Sequence, residues 1–212
     1  MNPGESILPS NPGVETQREA EALLLERCRK GDTRAFQALV EAHQDRAYAL
    51  ALRIVRRELD AEEVAQDAFV RAWRSIGEFR GDAAFGTWLH RIVVRRALDR
   101  SETLRAQSAR EVESEDELAD RPDASGISDP PGSVPSREAR RLARMMDALP
   151  PIQRAVLSLH YYEDRSVSEI ATLLDMPEGT VKTHMSRARA ALREAWAREA
   201  RTESEERFDD LR

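Results

Sequence analysis

Cysteine is almost missing from this chain: Cys28 stands alone among 212 residues, which rules out an intrachain disulfide and any Cys/His zinc cluster. Cys28 reads as a small buried hydrophobe. No apolar run approaches the roughly 20 residues needed to span a bilayer, and the amino terminus has neither the basic start nor the apolar core of a signal peptide. A cytoplasmic protein without membrane insertion is therefore expected. Glycine is scarce, at 9 residues, and β-branched runs are lacking, so no segment reads as a strand. Phosphate loops, metal-ligand sets and Ser/His/Asp orders are missing too; no catalytic residue, metal or cofactor is expected.

What the chain has in abundance is alanine, leucine, arginine and glutamate, all strong helix formers. The expected fold class is all-α: two small helical domains joined by a flexible acidic linker, the second containing a helix-turn-helix. The net charge of -6 divides unevenly. Residues 1–100 carry 16 acidic and 16 basic side chains, 101–138 carry 10 and 4, 139–201 carry 8 and 11, and 202–212 carry 5 and 2. The negative excess sits in a connecting segment and a tail, while the last folded block is basic. Salt screens charges beyond about 8 to 10 Å, so local sign governs a DNA contact more than the total does.

Turn residues set the boundaries. Residues 1–16 are rich in Pro, Gly, Asn and Ser and read as a disordered N-terminus, ahead of a first domain over 17–103. Its first helix is expected from about Gln17 to Lys30, with Gly31 as the stop and Asp32 as the next N-cap. Phe36, Leu39, Val40 and His43 recur at i, i+3, i+4, i+7, continued by Tyr48, Leu52 and Val55; His43 fits there as a core or boundary residue. Asp60 and Glu63 resemble a capping box opening a helix to about Ile76. Its stripe of Val64, Ala68, Phe69, Ala72, Trp73 and Ile76 leaves Glu62, Glu63, Gln66, Asp67 and Val70 on other faces.

Prolines, glycines and the acidic run Glu111–Asp120 make residues 104–137 read as the linker, with a second domain over 138–200 and an acidic tail over 201–212. In the second domain one helix ends at Leu149, its face set by Leu142, Met145, Met146 and Leu149. Pro150 stops it, and Pro151 suits the first turn of the next, whose face is Ile152, Val156 and Leu159. Ser166 and Glu169 cap a short helix to Leu174, and a long helix starts near Glu178.

Two stretches carry chemistry. Phe79 to Arg100 places Phe79, Phe85 and Trp88 beside Arg80, Arg91, Arg95, Arg96 and Arg100, the π-faces and guanidinium groups that a single nucleic-acid strand asks for. Leu89, Ile92, Val93 and Ala97 share helical spacing with those aromatics, so the rings equally suit the core of an amphipathic helix. In the last helix Val181, Met185, Ala188, Leu192 and Trp196 are expected to point inward, leaving Lys182, Thr183, Ser186, Arg187, Arg189 and Arg193 outward. No acid falls between Val181 and Arg193, as befits a recognition helix reaching a major groove.

With both blocks laid out, the chain resembles an alternative sigma factor of the extracytoplasmic-function group, similar to sigma-E. The resemblance rests on Asp60-Ala-Glu-Glu-Val-Ala-Gln-Asp-Ala-Phe-Val-Arg-Ala-Trp73, on Phe79-Arg-Gly-Asp-Ala-Ala-Phe-Gly-Thr-Trp-Leu89, and on Gly179-Thr-Val-Lys-Thr-His-Met-Ser-Arg-Ala-Arg189. It implies that Glu62, Glu63, Gln66, Asp67, Phe69 and Val70 dock on the β′ clamp helices of core RNA polymerase. It further implies that Phe79, Arg80, Asp82, Phe85, Trp88, Arg91, Arg95, Arg96, Asp99 and Arg100 bind and melt the -10 element, the loop Arg80 to Ala84 lining a pocket for a flipped base. Thr180, Lys182, Thr183, Ser186, Arg187 and Arg189 would read the -35 element as duplex. The implied partners are core polymerase through the β′ clamp helices and the β flap, promoter DNA as both double and single strand, and an anti-sigma factor.

The chain departs from that family at three places. Arg95 stands where relatives commonly place Asn, and Gly86 and His90 replace residues that are often aromatic, so the -10 base preference does not carry over. A helix-turn-helix regulator of duplex DNA is the competing class; it accounts for residues 166–196 but gives Phe79, Trp88 and their arginines no task. Binding to a promoter duplex without core polymerase separates the two.

Overall fold

The computed structural model describes residues 12–113 and 136–209. Helix α1 (Pro12–Arg29) is halted at Gly31, whose φ of 84° is the left-handed conformation that glycine adopts without strain. Asp32 then accepts from the backbone amides of Arg34 and Ala35 at 3.0 and 3.2 Å and starts α2 (Thr33–Val55). Such a cap contributes about 1 kcal/mol. Helix α3 (Glu58–Ser75) runs into a single 3-10 turn at Ile76–Glu78, an exposed loop, and α4 (Phe85–Glu113). α2 lies at the centre of this first domain, packed on α1, α3 and α4, with Leu39, Leu50, Ile54, Phe85, Leu89 and Val93 sealed from solvent. Cys28 is buried among them and burial pushes its thiol pKa up.

The second domain comprises α5 (Arg137–Asp147), α6 (Pro151–Tyr161), α7 (Val167–Leu174) and α8 (Glu178–Asp209). Pro151 occupies the first turn of α6, and buried Arg154 donates to the carbonyls of Asp147 and Leu149, satisfying the end of α5. Ser166 and Glu169 form the expected capping box at α7, and Asp175 ends that helix at φ 56°. Among the described residues there is no strand, and no helix is long and apolar enough to cross a membrane.

Several boundaries differ from expectation. α1 begins at Pro12, inside the stretch read as disordered; residues 1–11 lie outside the described residues. Asp60 is no cap: α3 starts at Glu58 behind Arg57, and the buried Asp60 carboxylate is taken by Arg100 at 2.6 Å and Arg57 at 3.1 Å. α4 continues past Ser101 to Glu113, because Glu, Leu, Arg, Ala and Gln fill that stretch and no proline interrupts it. The acidic run therefore begins inside a helix, and its remainder lies outside the described residues. α8 likewise extends to Asp209 through the stretch read as a tail.

Two inward assignments fail. Leu142 faces outward on α5, where Ala143, Met145 and Met146 supply the buried face. Trp196 is 43% exposed, its ring covered on one side by the Arg141 guanidinium at 4.0 Å. Helix α6 is the larger surprise. Instead of one face, Arg154 to Leu159 are all buried. Leu157 turns to Met146, Leu149 and Ala188 of its own domain, while Ala155, Val156 and Leu159 join the apolar core that runs into the first domain. The two domains are thus packed on each other, α6 against α2 and α7 against α4.

Candidate nucleic-acid interface

In the helix-turn-helix of α7 and α8, buried Val181, Met185 and Ala188 fix the roll of α8. That roll leaves Lys182, Thr183, Ser186, Arg187 and Arg189 exposed as one row and Thr180 at its edge, as the sequence pattern required. Their local engagements are light. The Thr183 hydroxyl donates to the Gly179 carbonyl at 2.8 Å, Lys182 pairs with Glu178 at 3.3 Å, and Arg189 hovers 5.7 Å from the Tyr161 ring. Exposed pairs of that kind are worth well under 1 kcal/mol.

The aromatic stretch turns out otherwise. Phe79 is 7% exposed and Phe85 fully buried, tilted edge to face at 6.2 Å, with the half-buried Trp88 on both at 5.0 and 5.7 Å. Phe79 and Phe85 therefore belong to the first domain's core and are not stacking platforms for bases; of the three rings Trp88 is the one left half-buried. The core reading won because α1 lies over this corner, where Arg29 donates to the Phe79 carbonyl at 2.6 Å. Such burial and ring packing are worth several kcal/mol. The loop that follows is exposed from Arg80 to Ala84, with Gly81 at φ 82° making its turn.

The arginines of α4 split. Arg95 is exposed, but Arg96 donates to Asp67 and to Asp99, and Arg100 to Asp60 and Glu63. These pairs tie the expected DNA-facing helix to the expected polymerase-facing one. The Asp67 carboxyl feels burial, which alone would raise its pKa, yet hydrogen bonds from Arg71 and Arg96 hold it below the usual range. On α3, Glu62, Glu63, Gln66 and Val70 are exposed and Asp67 half-buried, whereas Phe69 is 8% exposed and sits in the core. Sequence reasoning missed Leu59, 77% exposed at the start of that same face, one turn before Glu62 and Glu63; an apolar residue off the buried stripe was the available signal.

A groove of 780 Å³ runs between the domains. Arg80, Thr87, Trp88 and Arg91 line one wall, and Arg165, Glu169 and Thr172 the other. Arg165 bridges it, donating to the Thr87 hydroxyl at 2.8 Å. Beside it Gly86 faces the His43 ring, and His90 is 3% exposed with its Nδ1 at 3.6 Å from Glu163.

Comparison with known proteins agrees with this architecture. Residues 39–109 match the family described as sigma-70 region 2, and residues 139–192 the one described as sigma-70, region 4. The RNA polymerase sigma-H factor of Pseudomonas aeruginosa is 35% identical over 188 residues, covering 84% of this chain and 94% of the relative. The ECF RNA polymerase sigma-E factor of Escherichia coli is 35% identical over 184 residues with the same coverages, 84% and 94%. Among solved structures, the sigma factor RpoE in its co-crystal with the anti-sigma factor NepR from Bartonella quintana shares the fold, with a TM-score of 0.59 at 20% identity over 76% of this chain and 96% of that one. CnrH, in complex with the cytosolic domain of CnrY, gives a TM-score of 0.58 at 28% identity over 84% of this chain and 97% of that one. The chain belongs to the extracytoplasmic-function group of the sigma-70 family, alternative sigma factors that direct RNA polymerase to promoters.

Proposed function

We propose that the two domains divide promoter reading between them, in the cytoplasm and on the polymerase. The exposed row Lys182, Thr183, Ser186, Arg187 and Arg189, with half-buried Thr180 at its edge, reads the -35 element as duplex, base edges from the middle of the row and phosphates from its rim. The loop Arg80 to Ala84, with Trp88, Arg91 and Arg95 behind it, takes the -10 element once strands part. Here Phe79 and Phe85 shape the loop from beneath. Turning a base out costs a few kcal/mol, and stacking on a ring such as Trp88 returns roughly 1 to 3.

The carboxylates of α3, with Leu59 and Val70 among them, form the face for the β′ clamp helices, and the second domain meets the β flap. An anti-sigma factor is proposed as a further partner, since the structural relative RpoE was solved with the anti-sigma factor NepR bound. The observation that carries this reading is the acid-free, exposed basic and hydroxyl row on the second helix of a helix-turn-helix. Run-off transcription tests it: with purified core polymerase the chain should give transcripts from a cognate promoter, and alone it should hold the same duplex only weakly. Tight duplex binding without polymerase and no transcripts with it would replace this reading by that of a classical repressor or activator.

A further inference from the structure

Tyr161 ends α6 and is 57% exposed, close behind the run from Arg154 to Leu159 in which every residue is buried. A ring in that place adds little to the core, yet it is held on two sides. The His160 ring meets it edge to face, centroids 4.8 Å apart, and His160 is itself pinned through its Nδ1, which donates to the Arg165 carbonyl at 2.9 Å. From α8 the Arg189 guanidinium lies 5.7 Å from the same ring, inside the roughly 6 Å over which a cation and a π-face attract. The neighbouring Tyr162 is engaged elsewhere, under the Arg53 guanidinium at 4.0 Å.

The roll of α8 sets where Tyr161 stands relative to a DNA groove. Opposite the buried stripe of Val181, Met185 and Ala188 lies Thr183, with Ser186 and Arg187 on either side of it. Lys182 and Arg189 lie about a quarter turn round on one flank of this row, and Thr180 is on the other. The contact with Arg189 places Tyr161 beside the first flank, on the α6 side. A major groove about 12 Å wide is filled by a helix that is roughly 10 to 12 Å across with its side chains. A group standing just outside the helix therefore meets the phosphate wall and not the base edges.

We propose that Tyr161 is a DNA contact outside the α8 row: its phenol hydroxyl donates to a backbone phosphate at the edge of the -35 element, and its ring steers Arg189 to the same strand. The proposal rests on the -35 assignment of that row. A phenol is one of the neutral donors that hold phosphates. The edge-to-face contact with His160 fixes the ring before DNA arrives, so little side-chain freedom is lost on binding. Being uncharged, the hydroxyl displaces no counterion; being aimed at a phosphate, it carries no sequence information. Those two properties distinguish it from Arg189, whose loss alters the salt dependence, and from Arg187, whose loss alters the sequence preference.

The experiment titrates holoenzyme on duplexes carrying a cognate or a scrambled -35 element over a salt series. Tyr161→Phe keeps the ring with its His160 and Arg189 contacts and removes the oxygen alone. It should weaken both duplexes alike, roughly threefold to tenfold, with the salt slope unchanged. Arg189→Ala should lower that slope by about one. Tyr161→Ala and Arg189→Ala combined should lose less than the sum of their separate losses, because the ring acts partly through the guanidinium. Single uncharged methylphosphonates stepped along both strands locate the contact: at one phosphate beside the -35 element the parent should lose affinity and Tyr161→Phe should lose several-fold less. Parent affinity in Tyr161→Phe, a loss confined to the cognate duplex, or a changed salt slope would each overturn the proposal. Arg187→Ala in the same series keeps the two readings apart. If it separates cognate from scrambled while Tyr161→Phe is neutral, only the Tyr161 contact falls; if Arg187→Ala and Arg189→Ala are both neutral, the -35 assignment falls and this contact with it.

Discussion

Asp67 on α3 accepts from Arg96 on α4 at 2.5 Å, so one carboxylate on the face assigned to polymerase holds a guanidinium of the helix assigned to the -10 element. Asp67→Ala removes that tie at a partly exposed site, and its cost in fold stability should stay near or under 1 kcal/mol. Core polymerase affinity should fall about tenfold if Asp67 meets the β′ subunit. If Asp67 also acts by restraining Arg96, the losses of Asp67→Ala and Arg96→Ala in promoter opening will not add in a double-mutant cycle. Fluorescence anisotropy against core polymerase and thermal melts separate the two roles, and additive losses would make Asp67 a simple contact.

On the α8 row, Arg187→Ala should weaken binding of holoenzyme to a cognate -35 element by about 1 to 3 kcal/mol and leave a scrambled -35 little affected. Lys182→Ala, at a residue already shared with Glu178, should weaken both sequences alike and lower the salt slope by about one. Binding isotherms over a salt series distinguish base reading from phosphate holding. Equal losses for Arg187→Ala on both sequences would move it to the phosphate class.

Helix boundaries punctuated by turn chemistry were legible in the sequence: Gly31 and Asp32, Pro150 and Pro151, and Ser166 with Glu169 all do what their side chains dictate. The outward row on α8 was legible too, because one apolar stripe on that helix fixes which residues face out. What was hidden depends on partners distant in sequence. Nothing local to Asp60 announces that Arg100 will claim its carboxylate 40 positions on. The sequence of α6 shows one apolar face, but Arg154 to Leu159 are all buried because the helix packs on α8 of its own domain and on α2 of the first. Phe85 shows the same limit: a ring among arginines satisfies a base-stacking pattern and a core pattern alike, and only the packing of α2 and α4 decides.

That decision has a measurable edge. Phe85→Ala empties a fully buried ring site and should cost the first domain about 3 to 5 kcal/mol, enough to unfold much of it at 37 °C. Trp88→Ala, at a half-buried ring, should cost roughly 1 to 2 kcal/mol and leave helicity by circular dichroism intact. Its deficit should appear in promoter opening, read by the fluorescence of 2-aminopurine in the -10 strand, while polymerase affinity is retained. A Trp88→Ala protein that opens promoters normally would remove Trp88 from the -10 assignment.

His90 gives a prediction in pH. Its imidazole is walled in, and burial first, then the positive charges of Arg46, Arg165 and His43, lower its pKa to about 4 from an ordinary 6.5. The Glu163 carboxylate at 3.6 Å pulls the other way, but it is already hydrogen-bonded by Arg46, and the lowering prevails. A base whose folded pKa lies below its unfolded one is a group that the unfolded chain protonates first. The stability it permits is full above pH 6.5 and is lost as pH falls toward 4, about 2 kcal/mol of it by pH 5. The lowered carboxylates Asp32, Asp67 and Glu169 have the same direction, but their window opens only near and below their ordinary values around 4. Urea denaturation at pH 7 and pH 5 therefore isolates the histidine. The parent should lose about 2 kcal/mol between those points and His90→Leu much less, since no proton can then be taken up at that site. Equal losses in both proteins would show that His90 stays hydrated when the domains are together, and would count against the packing of Glu163 beside it.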